Sequence, residues 1–471
     1  MTTSAPAAVH PVIDRRHRSA TLVLGCAATL LVLMNYAAPA ATLPQTAAGL
    51  HAGPAGQVWI LNGIALGLAA LLLSAGTLAD DYGRKRVFVI GLVLLAVSAA
   101  AAALATNLGV FLTARIVQGG AGAALLVSSL GMIGHAFPPG RERVRATAAW
   151  GAMIGGGLTI GPPLSAILTQ WASWRLIYVV VAAVSGLLVP AAAAFLEESR
   201  SETPGKVDVP GVATLALGLA ALLMAVTQGR TGWAGPEVAG LFAAAAVLLA
   251  AFVAVELRRR APMLDLALFR RPLFLVSISG ALATGLSIIG PMSYLAALLQ
   301  VTSGFTPLGT AGATAVWTGT SVVTAIAGGR LRLLGRTQLT IGLAAAAVGE
   351  LGLLGMAAHW SWPHATVGLV LIGAGSGLAN AALARLSVES VPAGRASMGS
   401  GANNTARYIG GSLGVAVSVA VSVAVSGAAR SPAVGTDAML WTGVALAAAG
   451  AVLAIVLRER NAQDHRTRSM R

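Results

Sequence analysis

The chain is a succession of apolar stretches, most just over 20 residues long, broken by short segments that carry nearly all of its charge. About 20 apolar residues are what a helix needs to cross a hydrocarbon core about 30 Å thick. In such a medium every backbone polar group must be satisfied internally, so repeated apolar stretches of this length fold as helices. The stretches fall at 20–43, 57–79, 87–106, 109–136, 145–169, 175–196, 209–228, 237–257, 273–299, 308–329, 338–358, 363–387, 402–427 and 437–457, which makes fourteen expected spans. Composition agrees. Hydrophobic residues make up 56% of the 471 and charged residues only 10%, against roughly a quarter charged in soluble domains. There is too little polar surface to wet soluble domains, which excludes a soluble enzyme. The expected fold class is an all-α polytopic membrane protein.

The net charge of +15 invites a nucleic-acid reading, but the 31 Lys and Arg are distributed wrongly for one. They concentrate in every second inter-span loop and in the two tails, with no basic face interleaved with aromatics. Placing the N-terminus in the cytoplasm leaves Arg175, Arg230 and Arg430 outside and Arg115 within a span, with nearly all the rest inside. Cations retained on the cytoplasmic side fix this orientation, so both termini are expected there. Arg15, Arg16, Arg18 and the later Ala38-Pro39-Ala40 give the first stretch the outline of a cleavable leader. The apolar run continues through Leu43 and many equal runs follow, so it is read as the first span. Cys26 is the sole cysteine, which excludes a disulfide framework or a Cys-based metal site. Only two of the 31 cations are lysine, a bias that points to a bacterial genome rich in G and C. The expected location is a bacterial plasma membrane.

An internal repeat is visible. Gly76–Arg86 has a degraded echo at Gly328–Arg336, an offset of 252, and Pro139-Gly140-Arg141 is echoed by Ala393-Gly394-Arg395, an offset of 254. Two unrelated matches at nearly one offset indicate duplication of a six-span unit, an arrangement that transporters use around a midplane site. The expected organisation is a tail over 1–19, a six-helix bundle over 20–200, an inserted hairpin over 207–258, a second bundle over 262–458 and a tail over 459–471.

The loop after the second span reads Gly76-Thr77-Leu78-Ala79-Asp80-Asp81-Tyr82-Gly83-Arg84-Lys85-Arg86. Gly76 and Gly83 allow a tight turn between closely packed helices. Asp80 stands where it can cap a helix or pair with an arginine, and the cation triplet suits the anionic cytoplasmic leaflet. In the fourth span, Arg115 and Gln118 share a helix face, and Gly119 and Gly122 admit a neighbouring helix. A cation inside a span costs about 2.5–3.5 kcal/mol on insertion scales and normally faces a cavity or a partner. Snorkelling to the outer surface is the alternative, because Arg115 lies about two turns from that end. In the fifth span, Gly157, Gly161, Pro162 and Pro163 combine a flat packing surface with a bend.

These stretches resemble three signatures of the major facilitator superfamily: the loop motif, the fourth-span arginine motif and, in part, the antiporter motif of exporters. Ser165 and Ala166 replace the last glycines of the third signature. Trp174-Arg175-Leu176-Ile177-Tyr178, Glu256 with Pro262 and Leu264, Gln300 with Gly304 and Pro307, and Asn404 with Arg407 and Gly410 extend the likeness to the fourteen-span drug:proton antiporter branch. The resemblance implies two six-helix halves plus a two-helix hairpin. It implies that Gly76, Asp80, Gly83, Arg84 and Arg86 act in gating, and that Arg115 and Gln118 act in proton coupling.

One departure stands out. The branch usually has an aspartate in the first span, and this chain has Asn35, which does not exchange protons near neutral pH. The branch's sixth-span asparagine is replaced by Val181. Glu350 is the remaining acid well inside a span, about twelve residues in and so ~18 Å deep. A carboxylate at that depth can exchange protons, which makes Glu350 a proton-carrier candidate; a neutral packing role is the alternative. Candidate cavity residues are Asn35, Tyr36, Asn62, Met153, Tyr294, Trp317, Asn380, Asn404 and Arg407, a mixture suited to amphipathic or aromatic compounds. The expected function is proton-coupled export of small lipophilic or cationic compounds by alternating access. Uptake or facilitated transport without the first-span acid is the rival reading, and a non-transporting scaffold a weaker one. No G-x-x-x-x-G-K-[ST] segment occurs, so neither ATP nor a cofactor or metal is expected, and the proton gradient supplies the energy. The expected partners are a small-molecule substrate, protons and lipid, with no nucleic acid and a monomeric state.

Overall fold

The computed structural model describes residues 15–138, 141–199, 208–229, 235–259, 262, 264–329, 331, 333–391 and 396–469. Regular structure among these residues is helical throughout: α1 (Arg15–Ala37), α2 (Pro39–Gly49), α3 (Pro54–Tyr82), α4 (Arg84–Leu104), α5 (Leu108–Ala136), α6 (Arg141–Trp171), α7 (Leu176–Phe195), α8 (Val209–Gly229) and α9 (Pro236–Arg258). After a short 3-10 turn come α10 (Pro272–Thr284), a π-helical turn at Gly285–Ile289, α11 (Gly290–Thr302), α12 (Pro307–Gly328), α13 (Gly335–Leu351), α14 (Trp362–Glu389), α15 (Ala396–Ala429) and α16 (Pro432–Ser469). Twelve helices among the described residues are long and apolar enough to cross a membrane. The protein is thus a multi-span membrane protein. Of the fourteen expected spans, Pro307–Gly328 and Gly335–Leu351 fall outside those twelve. The expected span at 338–358 ends its regular helix at Leu351 and continues as turns through Gly355, whose φ is +78°.

Two spans are irregular, and at matching places. The first breaks between α1 and α2 at Pro39, with a second kink at Thr42 (φ −120°, ψ 17°) just before Pro44. The ninth runs as one helix from Pro272 to Thr302 but widens into a π turn at Gly285–Ile289, just before Pro291. Pro39 and Pro291 are 252 residues apart, the offset at which Gly76 repeats at Gly328. Proline removes a backbone donor and blocks the preceding turn, so each irregularity follows from sequence. The two irregularities thus stand one repeat offset apart, as the expected duplication requires.

Without a hydrophobic drive between helices in lipid, close packing relies on small residues. A Cβ on Gly119 of α5 would lie 2.2 Å from the Ile64 carbonyl oxygen and 2.8 Å from Gly67 Cα of α3. A Cβ on Gly161 of α6 would lie 2.5 Å from the Met34 carbonyl oxygen, so α6 rests on the backbone of α1. Helices α1–α7 pack among themselves, as do α10–α16. The two sets meet where α2 touches α11 and α12, α6 touches α12, and α3 touches α15. Helix α8 packs on α9 and also lies against both α3 and α15. Its start is fixed by Asp208, which is 1% exposed, accepts from the Gly211 N–H at 2.9 Å and pairs with Arg259 at 2.9 Å.

The closeness of α3 and α5 predicts a contrast between two glycines. Gly119→Ala should lower stability by about 1–3 kcal/mol, the usual cost of overpacking. Gly186→Ala, with open space around the added methyl, should leave it unchanged. Thermal unfolding of the purified protein in detergent distinguishes the two.

Candidate functional site

The break at Pro39 sets up the centre of the molecule. Within a helix the Asn35 carbonyl would accept from the N–H four residues on, but residue 39 is proline and has none. Arg115 takes that place. Its Nη1 donates to the Asn35 carbonyl at 3.1 Å, to Asn35 Oδ1 at 3.1 Å and to Gln118 Oε1 at 2.9 Å. Asn35 Nδ2 donates to the same Gln118 oxygen at 3.0 Å, and Gln118 Nε2 donates to the Ser98 carbonyl at 3.2 Å. The Arg115 side chain is 0% exposed, so it does not snorkel. Its guanidinium stands 5.8 Å from the Tyr178 ring centre, and Tyr178 packs edge-on against Phe111 and Trp174. The network ties together α1, α4, α5 and α7.

The second half contributes a similar group. Arg407 of α15 donates to Asn404 Oδ1 at 2.5 Å and to Asn380 Oδ1 of α14 at 3.3 Å, and lies 5.7 Å from the Tyr408 ring centre. Tyr36 meets Tyr408 edge-on with centroids 5.6 Å apart, which joins the halves beside both arginines. Farther toward the end away from the termini, Asn62 Nδ2 donates to the Ser412 carbonyl at 2.9 Å. Gln45 Nε2 donates to Gln300 Oε1 at 3.0 Å, while Gln300 Nε2 donates to the Ala41 carbonyl at 2.7 Å beside the kink. Ala41, Ala166 and Ala311 close the same end with an apolar contact. These seam contacts run from the middle of the bundle to one end.

At the opposite end, the tight turn is observed. Gly83 has φ +104°, a backbone that favours glycine. The Glu198 carboxylate, just past α7, lies against it: a Cβ there would sit 2.5 Å from Glu198. Glu198 accepts from the Lys85 backbone N–H at 3.1 Å and faces Arg86 Nε at 3.8 Å, so it caps the start of α4. Arg84 donates its backbone N–H to the Ser199 carbonyl at 3.0 Å and its side chain to the Gly131 carbonyl at 3.4 Å. Gly76 packs near Val127. The side chain of Asp80 lies outside the described residues, as do Gly394 and its flanking loop.

The structure brings together Asn35, Tyr36, Arg115, Gln118, Asn380, Asn404 and Arg407 as two facing clusters. Asn62 lies on the seam, whereas Gly157 and Gly161 of α6 pack on the backbone of α1 within one half. Trp317 instead lines a small cavity of about 10 Å³ with Met292 and Thr314, room for about one water. Met153 is half-buried on α6 and Tyr294 buried on α11, and neither joins the arginine clusters through a described contact. Glu350 is elsewhere. It sits in the last turn of α13, fully buried, and faces Gly443 of α16, where a Cβ would lie 2.7 Å from its Oε2. Neither carboxyl oxygen has a hydrogen-bond partner among the described residues. Sequence reasoning missed Glu198, Tyr408 and Gln45. An acidic pair at the end of the sixth span, on the same side as the cation triplet, was the readable signal for the first.

Known proteins share this architecture. The profile of the Major Facilitator Superfamily matches residues 25–415. The chain is 32% identical over 377 residues to the multidrug resistance protein Stp of Mycobacterium tuberculosis, covering 79% of this chain and 70% of that protein. It is 31% identical over 391 residues to the drug efflux pump JefA of the same species, covering 82% and 77%. A crystal structure of a peptide transporter superposes with a TM-score of 0.65 over 94% of each chain at 15% identity, a likeness of fold.

The surroundings of Glu350 yield a prediction. With no hydrogen bond to lose, Glu350→Gln should keep the unfolding temperature and dye transport within about twofold of the parent. A loss of tenfold or more, selective for transport energised by a pH gradient, would make Glu350 the proton carrier.

Proposed function

The chain belongs to the major facilitator superfamily, and from that premise we propose that it is a secondary active exporter of small lipophilic or cationic compounds. The proton-motive force would energise it in the plasma membrane of a bacterium. The relatives named for drug efflux and drug resistance support the direction. On this reading there are fourteen spans with both termini in the cytoplasm. The halves at 20–200 and 262–458 rock about the arginine clusters, and the hairpin at 207–258 rides on their seam. The observation that carries the reading is the seam itself: Tyr36 at the end of α1 meets Tyr408 of α15 beside both arginines, while Gln45 of α2 and Gln300 of α11 close one end. With cytoplasmic termini, the closed end is the outer one. The turn at Gly83, held by Glu198, would lock and release the opposite end, and Arg115 with Gln118 would couple protons to that movement.

Asn35 supports a second reading, facilitated transport without a proton carrier. The two readings separate in inside-out membrane vesicles. Export predicts that energised vesicles accumulate an amphipathic dye against its gradient, and that Arg115→Ala slows accumulation at least tenfold. Facilitated transport predicts equilibration at a rate that uncouplers leave unchanged. No flux of either kind, across several dyes, would contradict the transporter reading of this site.

A further inference from the structure

We infer that the central site accepts an aromatic anion, a flat ring system carrying a carboxylate, sulfonate or acidic phenolate, with the anionic group held on the free edge of Arg115. The inference narrows the export reading, replacing its cationic compounds with anionic ones, and rests on it for the route of the occupant. Three observations carry it.

The first is the unused half of the guanidinium. Nη1 of Arg115 is committed to Asn35 and Gln118, whereas Nε and Nη2 are buried with no hydrogen-bond partner among the described residues. Those two nitrogens form one side of the planar fork, the side that meets a carboxylate or sulfonate with two parallel hydrogen bonds. A fully buried donor edge without a partner is costly to leave unmade.

The second is the missing counter-charge. The ionisable groups that interact with Arg115 are Tyr178 and Tyr36, not a carboxylate. The described ion pairs use Glu142, Glu197, Glu198, Asp208 and Glu389, all at or beyond helix ends, and Glu350 faces Gly443. Arg407 is likewise held by neutral amides, and Tyr36 interacts electrostatically with both arginines. Two cations with no anion beside them among the described residues make the centre complementary to negative charge.

The third is what surrounds the charge. Tyr178 lies beside Arg115, while Tyr36 and Tyr408 line the seam between the arginines, so an anionic head placed there has ring faces for its body. Because Arg115 is 0% exposed, the cytoplasmic end must open before an occupant reaches it, as alternating access requires.

The test is binding, measured without transport. The purified full-length chain in lipid nanodiscs is titrated with fluorescein, an aromatic carboxylate and phenolate, and with ethidium, an aromatic cation, each followed by anisotropy. The inference predicts that the parent binds fluorescein more tightly than ethidium. It predicts that Arg115→Gln weakens fluorescein at least tenfold and that Arg115→Lys, which keeps charge but loses the fork, weakens it less. Asn35→Asp, which gives up the amide donor to Gln118 but brings a carboxylate to the Arg115 guanidinium, should weaken fluorescein at least tenfold and strengthen ethidium. No fluorescein binding, tighter ethidium binding by the parent, or fluorescein affinity unchanged in Asn35→Asp would each overturn it. Fluorescein binding with these variant effects but no vesicle flux would overturn the export reading and leave the anion site standing.

Discussion

A guanidinium buried in the middle of a helix bundle has to be held by something, and around Arg115 everything that holds it is neutral. Desolvating an ion costs on the order of several kcal/mol even after relaxation. Here the cost is offset by dipoles: an amide oxygen from Asn35, another from Gln118, and a carbonyl that Pro39 has deprived of its helical partner. The same bonds fasten α1, through Gln118 and Ser98, to α4 and α5. The break in the first span, the burial of the charge and the packing of α1 against α4 and α5 are therefore one arrangement. Removing any member leaves an orphaned polar group in a medium that has no water to supply.

That arrangement bears on energy coupling. A transporter with an aspartate beside this arginine can neutralise the pair by taking up a proton, and this chain, with Asn35, has no such step at that position. An anionic occupant would take over the neutralising role. Moving one negative charge out of a cell whose interior is negative releases about 2.3 kcal/mol per 100 mV. The electrical part of the proton-motive force would then drive export directly, and the loss of the acid and the retention of two arginines become two aspects of one design. Glu350, packed against Gly443 of α16, has no described link to that centre.

Much of this was readable from the residues. The span pattern follows from apolar length, and the positive φ at Gly83 is the conformation its place in the loop motif demands. Arg115 and Gln118, three apart on one face, do share a network. Other features were invisible because they depend on where two distant segments meet. Nothing local says that Glu198 will cap α4 from 112 residues beyond Arg86, or that Gln45 and Gln300 will bond across the seam. The paired irregularities beside Pro39 and Pro291 were in reach, since their separation equals the repeat offset, but proline alone does not reveal that a freed carbonyl will be claimed by an arginine. The regular helix at 335–351 stops short of its apolar run, which goes on as turns over 352–358 with Gly355 in the left-handed region, a change that hydropathy does not register.

The claim on which the account depends is that Arg115 is a charged group compensated only by neutral dipoles. The thermal unfolding midpoint of Asn35→Asp, measured on the purified protein without substrate, tests it most directly. If the charge is uncompensated, a carboxylate placed at 35 completes an ion pair and the midpoint rises by several degrees over the parent. If it falls as far as that of Asn35→Ala, which loses the same amide donor to Gln118, the new carboxylate has met no free positive charge, and the electropositive centre described here does not exist.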